Sequence, residues 1–123
     1  MRPSSVADIR QPVKRVAWRQ PAIEFANCIL NDGSFFGLSL DEMVMVECKA
    51  HDLDLREASL RGADFSQTDF LNALFNRTNL AAADFTGACN YRIDIFHNEI
   101  RRAKFSRDEA LGLLGGLDIE VVE

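Results

Sequence analysis

Cysteine, tryptophan, tyrosine and histidine are scarce in this chain, at three, one, one and two residues, and no long apolar run is present. Three cysteines without paired spacing argue against a disulfide framework and fit a reducing compartment. The missing apolar run excludes a transmembrane helix. Arg2 and Arg10 are followed by no apolar stretch, so the N-terminus does not read as a secretory signal, and a cytoplasmic address is expected. Neither His51 nor His97 has a Ser or Cys at a plausible reacting position, and no glycine-rich phosphate loop accompanies them.

What is present is a charge asymmetry and a period. The 123 residues carry a net charge of −5. Within residues 1–20, Arg2, Arg10, Lys14, Arg15 and Arg19 face only Asp8, a net of +4. The remainder is acidic, at −9. From Ile23 the chain divides into fives: IEFAN CILND GSFFG LSLDE MVMVE CKAHD LDLRE ASLRG ADFSQ TDFLN ALFNR TNLAA ADFTG ACNYR IDIFH NEIRR AKF. The third position is large and apolar in all 17 blocks except at Ala50 and Asn90. The first is mostly small, as at Cys28, Gly33, Cys48, Ala58, Ala63, Thr68 and Ala73.

Five is neither the period of a helix nor that of a strand. A helix would scatter such a repeat around its circumference, and a flat strand would send successive repeats to opposite faces. A coil that turns one corner per repeat satisfies it, with the large residue and the small residue two before it both pointing inward. An amphipathic helix would show an i, i+3, i+4 stripe, and none persists through residues 23–105.

Blocks such as ADF, TNL, ASL and ALF resemble the A-(D/N)-(L/F)-x-x signature of pentapeptide-repeat proteins. The resemblance covers about two-thirds of the chain without an insertion. It implies an all-β fold, a right-handed quadrilateral parallel β-helix with four repeats per coil. Residues 20 apart then stack one strand spacing apart, about 4.8 Å, in a rod of about four coils, roughly 20 Å long. Four inward columns follow: Phe25, Met45, Phe65, Phe85, Phe105; Leu30, Ala50, Phe70, Asn90; Phe35, Leu55, Phe75, Ile95; and Leu40, Leu60, Leu80, Ile100. The second is the weak one, because Ala50 leaves space and Asn90 would be a buried amide. Asn90 and Asn98 are expected to hydrogen-bond backbone. Tyr91, Ile93-Asp94 and Asn98 resemble the family's closing segment.

The expected organisation is a basic, partly disordered leader over 1–20, a repeat body over 21–105 and a cap over 106–123. Val16 and Trp18 are expected to cover the first coil. Ser106-Arg107-Asp108-Glu109 reads as a capping box with Ser106 as N-cap. Ala110, Leu113, Leu114 and Leu117 form the stripe of a short α-helix, ended by Gly115-Gly116, and residues 117–122 alternate as a short strand. An exposed strand edge suggests a homodimer through Leu113, Leu114, Leu117, Ile119 and Val121.

The residues offer little chemistry. Cys28 and Cys48 stack at inward positions, as a metal or redox pair or as two small buried thiols, and a zinc site would need two more ligands. Cys89 points outward and is the thiol most open to reaction. No catalytic, cofactor or metal site is expected. The outward acids Asp32, Asp52, Asp54, Asp64, Asp84 and Asp94 read either as a soluble face or as a surface that presents charge as nucleic acid does. Leu71, Leu74 and Tyr91 form a candidate apolar contact at one corner. The expectation is a non-catalytic adaptor or scaffold that binds a protein, without direct contact to nucleic acid or membrane. The resemblance supplies the alternative: family members that protect type II topoisomerases from quinolones are described as DNA mimics that bind gyrase. This chain is shorter than those members and lacks the loop insertions of several of them.

Overall fold

The computed structural model describes residues 22–114, 117–120 and 122. The leader, with Val16 and Trp18, lies outside the described residues, as do Gly115-Gly116 and Val121. From Ala22 the chain winds in coils of 20 residues. β1 (Glu24–Ala26) pairs in parallel with β2 (Val44–Val46), Phe25 opposite Met45. β3 (Asp84–Phe85) pairs in the same way with β4 (Lys104–Phe105). Parallel bridges at the same spacing join the other sides, among them Ile29–Lys49–Asp69–Cys89 and Ser39–Ser59–Asn79–Glu99.

Most repeats satisfy their backbone in one way. The N–H of the residue before the large one donates to the coil before it, as Lys49 does to Cys28 at 2.9 Å and Asp54 to Gly33 at 3.1 Å. The N–H of the large residue donates to the coil after it, as Leu30 does to Lys49 at 2.7 Å. At the corner the large residue's carbonyl accepts the N–H three residues on, as in Leu53 to Ala50 and Ala63 to Leu60. The second residue after the large one has positive φ at every corner from Asn27 to Gly87. Hydrogen bond and dihedral together are those of a type II turn. This left-handed residue is the corner that the five-residue period requires.

The second and third coils, with Phe85 at the start of the fourth, hold the core. Met45, Leu55, Leu60, Phe65, Phe70, Leu80 and Phe85 are fully buried. Ala50, the small member of the weak column, lies in the same coil as Met43 and Leu53, which occupy small-residue slots and are also fully buried. The volume missing at one position is thus restored within the coil. Leu53 fits because its neighbour one coil back is Gly33, where an added Cβ would sit 3.2 Å from the Leu53 Cδ1.

The frame breaks at the end of the weak column. Asn90 is not a buried amide. It takes the corner conformation, with φ 60° two residues ahead of schedule, and is exposed. Its amide donates to the Asp69 carboxylate at 2.8 Å rather than to backbone. The shift turns Tyr91 inward, between Phe85 and Phe105 at ring distances of 5.6 and 5.4 Å, and buries Ile93. Asn98 behaves as expected: its amide donates to the Asp94 and Phe75 carbonyls, and its oxygen accepts the Thr78 N–H.

The cap also differs from expectation. Ser106 is not an N-cap, because its hydroxyl accepts the Gly87 N–H at 2.8 Å and so continues the coil. The α-helix is replaced by a five-residue 3-10 helix, Glu109–Leu113, preceded by Asp108 without a side-chain cap bond. Leu113 packs against the core. Gly112 is held close: an added Cβ would lie 2.6 Å from the Tyr91 carbonyl oxygen. Gly112→Ala therefore displaces the cap and lowers stability by about 1 kcal/mol, the low end of overpacking costs because the element is terminal. Thermal unfolding beside the unsubstituted chain measures it. The expected strand is absent among the described residues of 117–122. Leu117 closes a turn onto the Leu114 carbonyl, and Asp118 has φ 51°, which breaks an extended chain.

Candidate binding surface

The outward acids first serve the turns. In many repeats the N–H just after the large residue is accepted by a short polar side chain on the outer surface. Asp54 accepts from Arg56, Asp64 from Ser66, Asp69 from Leu71, Asp84 from Thr86 and Asp94 from Phe96, at 2.8–3.1 Å. Asn31 and Asp41 do the same for His51 and Arg61 one coil on. This is why aspartate and asparagine recur before the large residue.

At Asp54, Asp69, Asp84 and Asp94 such bonds favour the ionised form. The Thr86 hydroxyl and N–H, with Lys104 nearby, hold the Asp84 carboxyl below the usual carboxylate range against a smaller effect of burial. At Asp69, burial pushes upward but is outweighed by hydrogen bonds from Asn90, His51 and Leu71. A carboxyl whose folded pKa is depressed stabilises the fold above its unfolded value, about 4, and loses that contribution as pH falls through the folded value. Stability therefore declines below about pH 4, and Asp84→Asn, whose amide oxygen still accepts the turn N–H, declines less. Unfolding midpoints at neutral pH and in this acid range for the two chains check this.

The acids do not form a continuous negative strip. Asp54 and Arg56 make a bidentate pair at 2.9 and 2.8 Å, with the Arg56 guanidinium 5.4 Å from the Phe36 ring. Asp69 pairs with His51 at 2.9 Å, and Asp94 with His97 at 2.8 Å. Asp64 stacks on Asp84, but Val44 separates them from Glu24. Asp32 and Asp52 are exposed at left-handed corners. Among the described residues, the third ladder runs Ser34, Asp54, Leu74 and does not continue to Asp94. Charge is instead graded along the rod. Residues 22–60 carry eight carboxylates and two cations, and residues 91–107 carry five cations and two carboxylates.

Of the expected apolar corner, Leu71 and Leu74 are exposed at 42% and 45% and flank the left-handed Asn72. Tyr91 is removed from it, being 3% exposed, because of the frame shift at Asn90. Its hydroxyl is buried without a partner, and burial, with Glu109 nearby, pushes its pKa up to about 12. The exposed Leu111 takes its place: Leu71 and Leu111 line one groove of about 310 Å³, with Arg92, Asp108 and Glu109 at its polar rim. Leu111 was not legible, because an α-helix and a 3-10 helix point it differently. A second open groove, about 490 Å³, runs along Arg77, Phe96 and His97, with Phe96 70% exposed.

Two of the three thiols, Cys48 and Cys89, have the wrong environment for nucleophiles. Burial pushes the Cys48 thiol up, and Cys89, which is only half-buried, is raised by burial and then by the Asp69 charge. Each histidine is paired to a carboxylate without a hydroxyl or thiolate at its other nitrogen among the described residues. Among the expected dimer residues, Leu114 and Leu117 are half-buried and Ile119 is exposed, while Leu113 faces the core.

The sequence pattern of a family described as pentapeptide repeat region matches residues 15–85. No curated protein matches the chain. Among solved structures, a trypsin-treated form of QnrB1, a plasmid-mediated fluoroquinolone resistance protein, is similar at 16% identity and a TM-score of 0.38. That alignment covers 82% of this chain and 70% of QnrB1. The pentapeptide repeat protein Rfr23 from the cyanobacterium Cyanothece 51142 is similar at 13% identity and a TM-score of 0.33, over 73% of this chain and 65% of that one.

Proposed function

The chain belongs to the pentapeptide-repeat family, and from that premise we propose that it is a non-catalytic protein-binding solenoid, an adaptor or scaffold. The coil is taken as right-handed and four-sided, and the protein as cytoplasmic. The observation that carries the reading is the surface itself: mixed charge, with each of Asp54, Asp69 and Asp94 paired to a cation or histidine, around an apolar corner at Leu71 and Leu74. Such a corner, rimmed by polar groups, suits a protein partner. Capture from the cells that make the protein, followed by mass spectrometry, identifies the partner. No specifically retained protein would remove the reading.

The acidic end, residues 22–60, favours a second reading: a DNA-mimic regulator that binds a DNA-handling enzyme such as DNA gyrase. It predicts that the protein inhibits or protects gyrase in a supercoiling assay in a salt-dependent way, and no effect at high concentration excludes it. A homodimer through Leu114, Leu117, Ile119 and Val121 is the assembly proposed for either reading. A monomeric mass by light scattering at tens of micromolar would contradict it.

A further inference from the structure

One side of the solenoid carries charge of the other sign. Ser39, Ser59, Asn79 and Glu99 form its outer ladder. At the corner that follows, residues 20 apart read Asp41, Arg61, Ala81, Arg101 and then Glu42, Gly62, Ala82, Arg102. Bonds such as Ala82 N–H to the Arg101 carbonyl, at 2.8 Å, hold the coils in register. Ala81 is small and stands between two arginines, which leaves a trough of about 300 Å³ lined by both and by Arg102. The trough shares Asn79 and Glu99 with the groove along Arg77, Phe96 and His97, so the two form one surface.

The arginines here are not spent on the fold. Arg61, Arg77, Arg101 and Arg102 are all exposed. Among the described residues Arg61 and Arg102 form no ion pair. Arg77 reaches Glu57 at 3.9 Å and Arg101 reaches Glu99 at 3.8 Å, long single contacts between exposed groups that contribute little. Glu99 serves the turn, its carboxylate accepting the Arg101 N–H at 3.0 Å. Among the described residues that line the two grooves, four arginines therefore face one carboxylate, on a chain of net charge −5.

We propose that this surface binds an acidic, extended segment of a protein partner, with carboxylates on Arg61, Arg101 and Arg102 and an apolar side chain against Phe96. The planar fork of arginine matches a carboxylate, and Phe96, 70% exposed, supplies the apolar contact beside it. A nucleic-acid strand suits the surface less well. It carries a charge on every unit and would bring one onto Glu99, where the grooves meet. The surface lies beyond the apolar corner at Leu71 and Leu74, past the next two left-handed corners at Arg77 and Ala82. The solenoid can thus hold both contacts at once, as a scaffold must, and neither depends on the other.

The probe is a short fluorescein-labelled peptide of glutamates around a central phenylalanine, with its lysine counterpart as control. Anisotropy should rise to saturation with the glutamate peptide and stay flat with the lysine one. Arg61→Gln/Arg101→Gln, at exposed positions, should weaken binding about tenfold while circular dichroism keeps its native form. Added salt should weaken it further. Leu71→Glu/Leu74→Glu should leave it unchanged, so this surface and the apolar corner fail separately. Absence of saturable binding overturns the proposal, as does binding indifferent to the arginine variant or lost equally in the leucine variant. Tighter binding of a labelled oligothymidylate, lost in the arginine variant, also overturns it and would assign the surface to nucleic acid.

Discussion

Phe85→Ala should lower unfolding stability by about 3–5 kcal/mol, the range for truncating a buried phenylalanine. Phe85 is fully buried and touches five other rings. Phe105 stacks on it at 5.0 Å with 9° between planes, and Phe65 lies 5.1 Å away on the other side. The cavity cannot close easily, because ladder bonds such as Phe65 N–H to the Asp84 carbonyl at 2.7 Å fix the spacing of the coils. Phe25→Ala, in the same column but half-buried at the open end, should cost clearly less. Urea unfolding of the two variants measures the difference. Equal losses, or a Phe85→Ala loss below about 1 kcal/mol, would show that the column is not a continuous core.

Thr68→Val, nearly the same in volume, should cost about 2–3 kcal/mol through hydrogen bonds alone, since unsatisfied buried groups cost about 1–3 kcal/mol each. Thr68 is fully buried, and its hydroxyl donates to the Met45 carbonyl at 2.6 Å and accepts the Cys48 N–H at 3.3 Å. At this corner the usual turn bond from Cys48 to Met45 is absent, and the threonine one coil on replaces it. Thr78 also donates to the carbonyl one coil back, that of Leu55 at 2.8 Å, but there the turn bond from Ala58 is kept and its hydroxyl accepts the Asn76 N–H. Thr68→Ser, which keeps the hydroxyl, should retain most of the stability. A neutral Thr68→Val would show that the corner does not depend on that bond.

The threonines show how far the sequence carries. A five-residue frame places Thr68 and Thr78 in the small inward slot, and it identifies the inward columns from Phe25 to Phe85 correctly. It does not say which corners lack their own turn bond. The same limit explains Asn90. Counting by fives puts its side chain inside, but asparagine tolerates the left-handed corner, and the large Tyr91 beside it gains more from burial between Phe85 and Phe105. The apolar corner at Leu71 and Leu74 was legible because both lie within the regular frame. Leu111 and the groove beside it were not, since Ser106 continues the coil where the sequence reads as a capping box.

The proposed partner contact is the outward corner at Leu71 and Leu74. The direct measurement compares retention of the captured partner by the unsubstituted chain, by Leu71→Glu/Leu74→Glu and by Asp32→Asn/Asp52→Asn, each with a native circular dichroism spectrum. The leucine variant should lose the partner while the aspartate variant keeps it. Retention by the leucine variant, with loss on neutralising Asp32 and Asp52 and displacement by duplex DNA, would contradict that contact.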